Sequence, residues 1–162
     1  MKTKNISLMA MLIALGTITA HIVSIPVGVA RVFPMQHAIN VVAGVLLGPV
    51  NAGIVALLIA VLRNLLGVGS LLAFPGGIIG AVLAGYLYRV KRRESYAFIG
   101  EIIGTGIFGA LLSYPIAKYV LGQEVLVYAF IIPFGLSSLA GAIIGYLVLR
   151  MLTGAGRREN TK

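Results

Sequence analysis

The side chains best equipped for chemistry in this chain of 162 residues gather in two short stretches. Gln36, His37 and Asn40 are three or four residues apart, which places them on one face of a helix. Arg63 and Asn64 close the next apolar run, with Ser70 soon after, and His21 ends the run before them. Each is costly in apolar surroundings unless it meets protein, water or a ligand. Taken singly, any of them could snorkel or bond a neighbouring helix. Taken together, they point to an uncharged cavity lined by donors and acceptors, suited to a small polar molecule.

Other chemistries lack their residues. No glycine precedes a lysine, so there is no phosphate loop and no ATP hydrolysis by that route. His21 and His37 have neither H-E-x-x-H spacing nor a carboxylate close in sequence, so no metal site is expected. No serine occupies a G-x-S-x-G elbow, and neither catalysis nor a bound cofactor is expected. Cysteine is absent, which excludes disulfides and thiolate ligands. Glu101 stands apart, about one turn into an apolar run. It could couple proton movement, but pairing with the nearby Arg89, Lys91, Arg92 or Arg93 is the stronger expectation.

The elements that must position these groups are membrane helices. The chain is 59% hydrophobic and 10% charged, too little charge for the shell of a soluble domain. Its apolar runs are continuous, not alternating, and approach the ~20 residues that cross a bilayer as helix. The expected fold is an all-α integral membrane bundle of six spans, a single domain at about 6–25, 36–47, 50–66, 78–90, 96–117 and 125–150. The first run is too long for a signal-peptide core and lacks an A-x-A site, so it reads as a retained span.

The net charge of +9 lies in short clusters between apolar runs, not in a basic stripe interleaved with aromatics, which argues against a nucleic-acid partner. With six spans, Lys2, Lys4, Arg89, Lys91, Arg92, Arg93, Arg150, Arg157, Arg158 and Lys162 fall on one side. Only Arg31 and Lys118 fall on the other, and Arg63 lies at the end of the third span. Both termini are therefore expected in the cytoplasm, with 26–35, 68–77 and 118–124 outside. These outer connections are rich in Gly, Pro and polar residues, so a pocket is expected in the outer half. Glycines at 100, 104, 106, 109, 141 and 145 suit close helix packing. Ala10-x-x-x-Ala14 forms a small-residue stripe that fits packing inside the bundle or docking to another membrane subunit equally well.

The run Arg31-Val32-Phe33-Pro34-Met35-Gln36-His37-Ala38-Ile39-Asn40, followed by Gly44-Val45-Leu46-Leu47-Gly48-Pro49, resembles the ThiW family. So do Arg63-Asn64 with Gly67-x-Gly69-Ser70-Leu71-Leu72-Ala73-Phe74-Pro75-Gly76-Gly77, and Gly104-Thr105-Gly106 leading to Ser113-Tyr114-Pro115-Ile116-Ala117. The resemblance covers about residues 6–150. It implies a six-helix S component of an energy-coupling factor (ECF) transporter in the prokaryotic plasma membrane, with an outward-facing pocket for a thiamine precursor. The expected ligand is 4-methyl-5-(2-hydroxyethyl)thiazole. Such a ligand wants one or two hydrogen bonds and apolar or aromatic walls. Gln36, His37, Asn40, Arg63, Asn64 and Ser70 would supply the first, and Phe33, Phe74 and Tyr114 the second. The resemblance also implies that Ala10 and Ala14 meet a transmembrane coupling subunit driven by two ATPases. Two other readings stand beside it: a self-sufficient proton-coupled carrier using Glu101, and a structural membrane subunit that binds nothing.

Overall fold

Proline and glycine set the helix boundaries in the computed structural model, which describes residues 3–27 and 30–159. Helix α1 covers Thr3–Ile22. A short antiparallel hairpin follows, β1 at Ile25–Val27 and β2 at Ala30–Val32, with Ile25 opposite Val32. Helices α2, Pro34–Leu47, and α3, Pro49–Leu65, each begin on a proline, where the missing N–H is not needed. Gly48 joins them at φ +79°, a conformation that a side chain would strain, and this confines the turn to one residue. Helix α4 covers Ala73–Lys91, α5 covers Glu94–Val120, and α6 covers Ile131–Glu159.

Four of these helices, α1, α4, α5 and α6, are long and apolar enough to cross a membrane. Helices α2 and α3 are apolar but have 14 and 17 residues. At ~1.5 Å per residue they reach roughly 21 and 26 Å, short of the ~30 Å hydrocarbon core. Several expected boundaries also move. The first helix ends at Ile22, not near 25, because the chain turns into β1 and the expected loop at 26–35 is mostly hairpin. Helix α4 starts five residues before the expected 78. Its Pro75 sits in the first turn, where proline is tolerated, and Gly76 and Gly77 are helical and buried. The last helix starts at Ile131 instead of 125, leaving 122–130 as an irregular segment folded back on the bundle with Phe130 fully buried.

Two kinds of seam hold the bundle together. Met9, Leu12, Ile39, Val41, Val55 and Ile59 make an apolar core between α1, α2 and α3. Helices α4 and α5 instead meet backbone to backbone. A Cβ on Gly104 would lie 2.7 Å from Gly80 Cα, and one on Gly109 would strike Gly76 Cα. Helix α5 is wound as π-helix over Gly104–Gly109 and Ile116–Val120. Gly141 and Gly145 bring α6 equally close to α2, against Pro34 and Ala38.

Candidate ligand cavity

At the hairpin end of the bundle a cavity of about 390 Å³ opens between the hairpin, α2, the end of α3, the start of α4, the 121–123 segment and the start of α6. Ligand pockets commonly have roughly 300–1,000 Å³. Its polar walls come from Arg31, Gln36, His37, Arg63, Ser70, Thr105, Gln123 and Ser137, its apolar walls chiefly from Phe33, Leu72, Leu121 and Phe134. The hairpin is held over α6 by the Phe33 N–H, which donates to Ser137 Oγ at 2.8 Å.

Arg63 is 1% exposed although it carries a full charge. Its guanidinium lies 3.7 Å from the centroid of the Phe33 ring, and a cation over an aromatic face is attracted to it. Nη1 donates to Gln36 Oε1, while Nε has no partner among the described residues. The cavity expected to be uncharged is therefore lined by two arginines and no carboxylate.

Beneath the cavity lies a second polar group that no charge pattern announced. Glu101 is fully buried, and its Oε1 accepts from Asn40 Nδ2 at 3.0 Å and lies 2.7 Å from His37 Nδ1 and 2.9 Å from Thr105 Oγ1. Asn40 Nδ2 also donates to the Gly77 carbonyl at 3.1 Å, and Thr105 Oγ1 lies 2.9 Å from the Gly76 carbonyl. This corrects the expected pairing of Glu101. Glu101 does not pair with the Arg89 to Arg93 cluster, whose basic side chains are exposed at the far end of α4, because its position seven residues into α5 turns it inward toward α2. His37 does have a carboxylate partner, 64 residues away in sequence. Asn40 Oδ1 and Glu101 Oε2 remain unpaired among the described residues, so the network is not saturated by the protein as a purely structural one would be.

The expected site residues divide as follows. Phe33, Gln36, His37, Arg63 and Ser70 line the cavity. Asn40 is beneath it, fully buried, and touches it only through His37 and Glu101's network. Asn64 is turned away: its Nδ2 donates to the carbonyls of Ala60 and Ser70, holding the α3–α4 connection to its helix. Phe74 and Tyr114 are not walls. The inward face of α4 is Ala73, Gly76 and Gly77, and Phe74 is about 100° round the helix from Ala73. On α5 the inward residue is Ser113, bonded to the Leu72 carbonyl, which turns its neighbour Tyr114 outward to Lys118. The side chain of His21 lies outside the described residues. Thr105, Ser137, Phe134 and Gln123 were missed. Only Thr105 carried a signal, as a polar residue between the glycines at 104 and 106.

At the other face of the bundle, Ala10 and Ala14 lie on the exposed side of α1, while Met9, Leu12, Gly16 and Ala20 face the other helices. Small-residue stripes of this kind let a second helix approach closely.

Four apolar helices of spanning length, in a bundle that holds a polar cavity at one end, define a multi-pass membrane protein. The chain belongs to the ThiW family: the family model described as thiamine-precursor transporter protein matches residues 6–155. No curated protein and no solved structure matches the chain. A transporter family accords with the lack of catalytic motifs and implies a small-molecule substrate taken across or into the membrane.

Proposed function

We propose that this chain is the membrane-embedded, substrate-binding S component of an ECF importer. Six segments enter the membrane, with both termini in the cytoplasm and the cavity facing outward. It captures 4-methyl-5-(2-hydroxyethyl)thiazole, and its exposed Ala10 and Ala14 receive a transmembrane coupling subunit that two ATPases drive. The observation that carries the reading is the cavity itself, with Arg63 and His37 among its polar groups and Phe33 and Phe134 among its walls. A thiazole offers a flat apolar ring, a ring nitrogen that accepts a hydrogen bond, and one hydroxyl. Arg63 can donate to an acceptor, and the aromatic walls can cover the ring.

A thermal-shift screen of the purified protein against the thiazole, the pyrimidine half of thiamine, thiamine and unrelated vitamins tests the ligand. Stabilisation by the thiazole above the others is expected, since a ligand that binds only the folded state raises its stability. Stabilisation by the pyrimidine alone would move the substrate to the other precursor. Uptake in vesicles should require the coupling module and ATP. Accumulation by this chain alone under a pH gradient would favour a proton-coupled carrier through Glu101. For orientation, single cysteines at Ser95 and Gln123 in this cysteine-free chain are treated with an impermeant maleimide in intact cells. Labelling at 123 and not at 95 is expected, and the reverse would invert the topology.

A further inference from the structure

We propose that Glu101 is a positioning residue that fixes the tautomer of His37, so that the cavity presents a hydrogen-bond acceptor and selects a ligand carrying an O–H or N–H donor. The inference deepens the reading of the cavity as a thiazole site and rests on it for the choice of ligand, not for the state of the imidazole.

The geometry begins at Glu101 Oε1, on which His37 Nδ1, Asn40 Nδ2 and Thr105 Oγ1 converge within 3.0 Å. Asn40 Nδ2 can only donate, so Oε1 accepts from it, and beside an ionised carboxyl group the short contact puts a hydrogen on His37 Nδ1. The other ring nitrogen, Nε2, makes no hydrogen bond among the described residues, yet it is not one of the enclosed unpaired atoms. The ring lines the cavity, and we assign Nε2 as the nitrogen it presents there. Of the two arginines on the cavity Arg31 is exposed and Arg63 is buried, so Arg63 alone sets a buried positive charge against the negative charge of Glu101. A neutral imidazole leaves this buried set balanced, whereas an imidazolium would add an unmatched cation in a poorly solvated site. A neutral ring protonated at Nδ1 carries a lone pair at Nε2, and the second nitrogen's role is set by the bond the first one makes. Arg63 offers only donors, so His37 Nε2 gives the cavity the opposite polarity. A ligand with an acceptor on one side and a hydroxyl on the other satisfies both. An ether or alkyl arm leaves Nε2 buried without a partner.

The test reads the imidazole directly. Nitrogen-15 spectra of histidine-labelled protein in detergent, with His37 assigned through a His21→Gln variant, should give a neutral ring protonated at Nδ1. Glu101→Met, which removes the acceptor at similar side-chain length, should shift His37 toward the Nε2-protonated form. In binding assays, 4-methyl-5-(2-hydroxyethyl)thiazole should bind about tenfold or more tightly than its O-methyl ether and its 5-ethyl analogue. That preference should collapse in Glu101→Met. An imidazolium or an Nε2-protonated ring in the unmodified protein would overturn the proposal, as would an ether binding as tightly as the alcohol. Should Glu101→Met fail to fold, the unmodified protein's spectrum and its alcohol-to-ether ratio still decide. If no thiazole compound binds, the substrate reading fails, and the spectrum alone judges the role of Glu101.

Discussion

The two seams of this bundle are built from different material. Between α1 and its neighbours the contact is made by flexible apolar side chains, and a Cβ on Gly16 would press on the Cδ1 ends of Ile59 and Ile39. Between α4 and α5 backbone meets backbone, and a side chain on Gly104 or Gly109 would have only the backbone of α4 and α5 to press on. The polar residues follow the same division. The first seam holds apolar core, whereas the second carries Thr105 and Glu101, and Glu101 meets His37 and Asn40 from α2. Close backbone approach is what lets short polar side chains of α2 and α5 and backbone carbonyls of α4 reach one another in an apolar interior. The outer side of α1, with Ala10 and Ala14 exposed, belongs to neither seam.

The largest effect is therefore expected at the glycine seam. Gly104→Leu would force α4 and α5 apart at a contact of 2.7 Å, where overpacking typically costs about 1–3 kcal/mol and often more when backbone is the obstacle. A large fall in melting temperature with loss of ligand binding is expected. Gly16→Ala should leave melting nearly unchanged, because rotation of the Ile59 tip relieves the contact and alanine favours helix by about 1 kcal/mol over glycine. Equal destabilisation by the two would erase the distinction between the seams.

The next effect lies in the polar group itself. His37→Ala removes a ring that lines the cavity and should weaken ligand binding about ten- to hundredfold, the consequence of roughly 1–3 kcal/mol for a buried ligand group left unpaired, whereas Asn40→Ala removes a donor to Glu101 beneath the cavity and should weaken binding by a smaller factor. Asn64→Ala should alter affinity less, since it acts only by holding the α3–α4 connection. Tyr114→Phe should leave affinity as it is, because the ring points away toward Lys118. Isothermal titration of the four variants ranks them, and an Asn64→Ala loss exceeding that of Asn40→Ala would reverse the order of contact inferred here.

Much of this arrangement was legible in the chain, because membrane helices write their limits in local sequence. The runs ending at Gly48-Pro49 and at Leu65 were readable to within one or two residues from proline and glycine alone. Spacing of three and four put Gln36, His37 and Asn40 on one face, and all three are buried. What local sequence does not carry is rotation about a helix axis relative to a distant partner. Asn64 and Arg63 are adjacent, yet one faces the cavity and the other its own backbone. Nearness in sequence favours the basic residues at 89–93 as partners of Glu101, whereas its partners lie 64 and 61 residues away on α2. The early start of α4 was hidden because Gly76-Gly77 reads as a loop until a neighbouring helix packs against it.

The smallest expected effect on the isolated protein is also the one that bears most on assembly. Ala10 and Ala14 are one helical turn apart on the side of α1 that no other helix covers. In Ala14→Trp the indole would extend away from Met9, Leu12 and Gly16, so neither seam is overpacked. Surface substitutions of this kind usually fall within about 0.5 kcal/mol. Unchanged melting and unchanged ligand affinity are therefore expected. If this face receives a coupling subunit, the same bulk should block the close approach that two small residues permit, and co-purification with the module and ATP-driven uptake should fail. The two measurements separate the outcomes. A stable, ligand-binding variant that still assembles would remove α1 from the interface. A variant that melts early and loses its ligand would mean that the face is covered in the folded bundle, and the contrast between an enclosed glycine seam and a free alanine stripe would not hold.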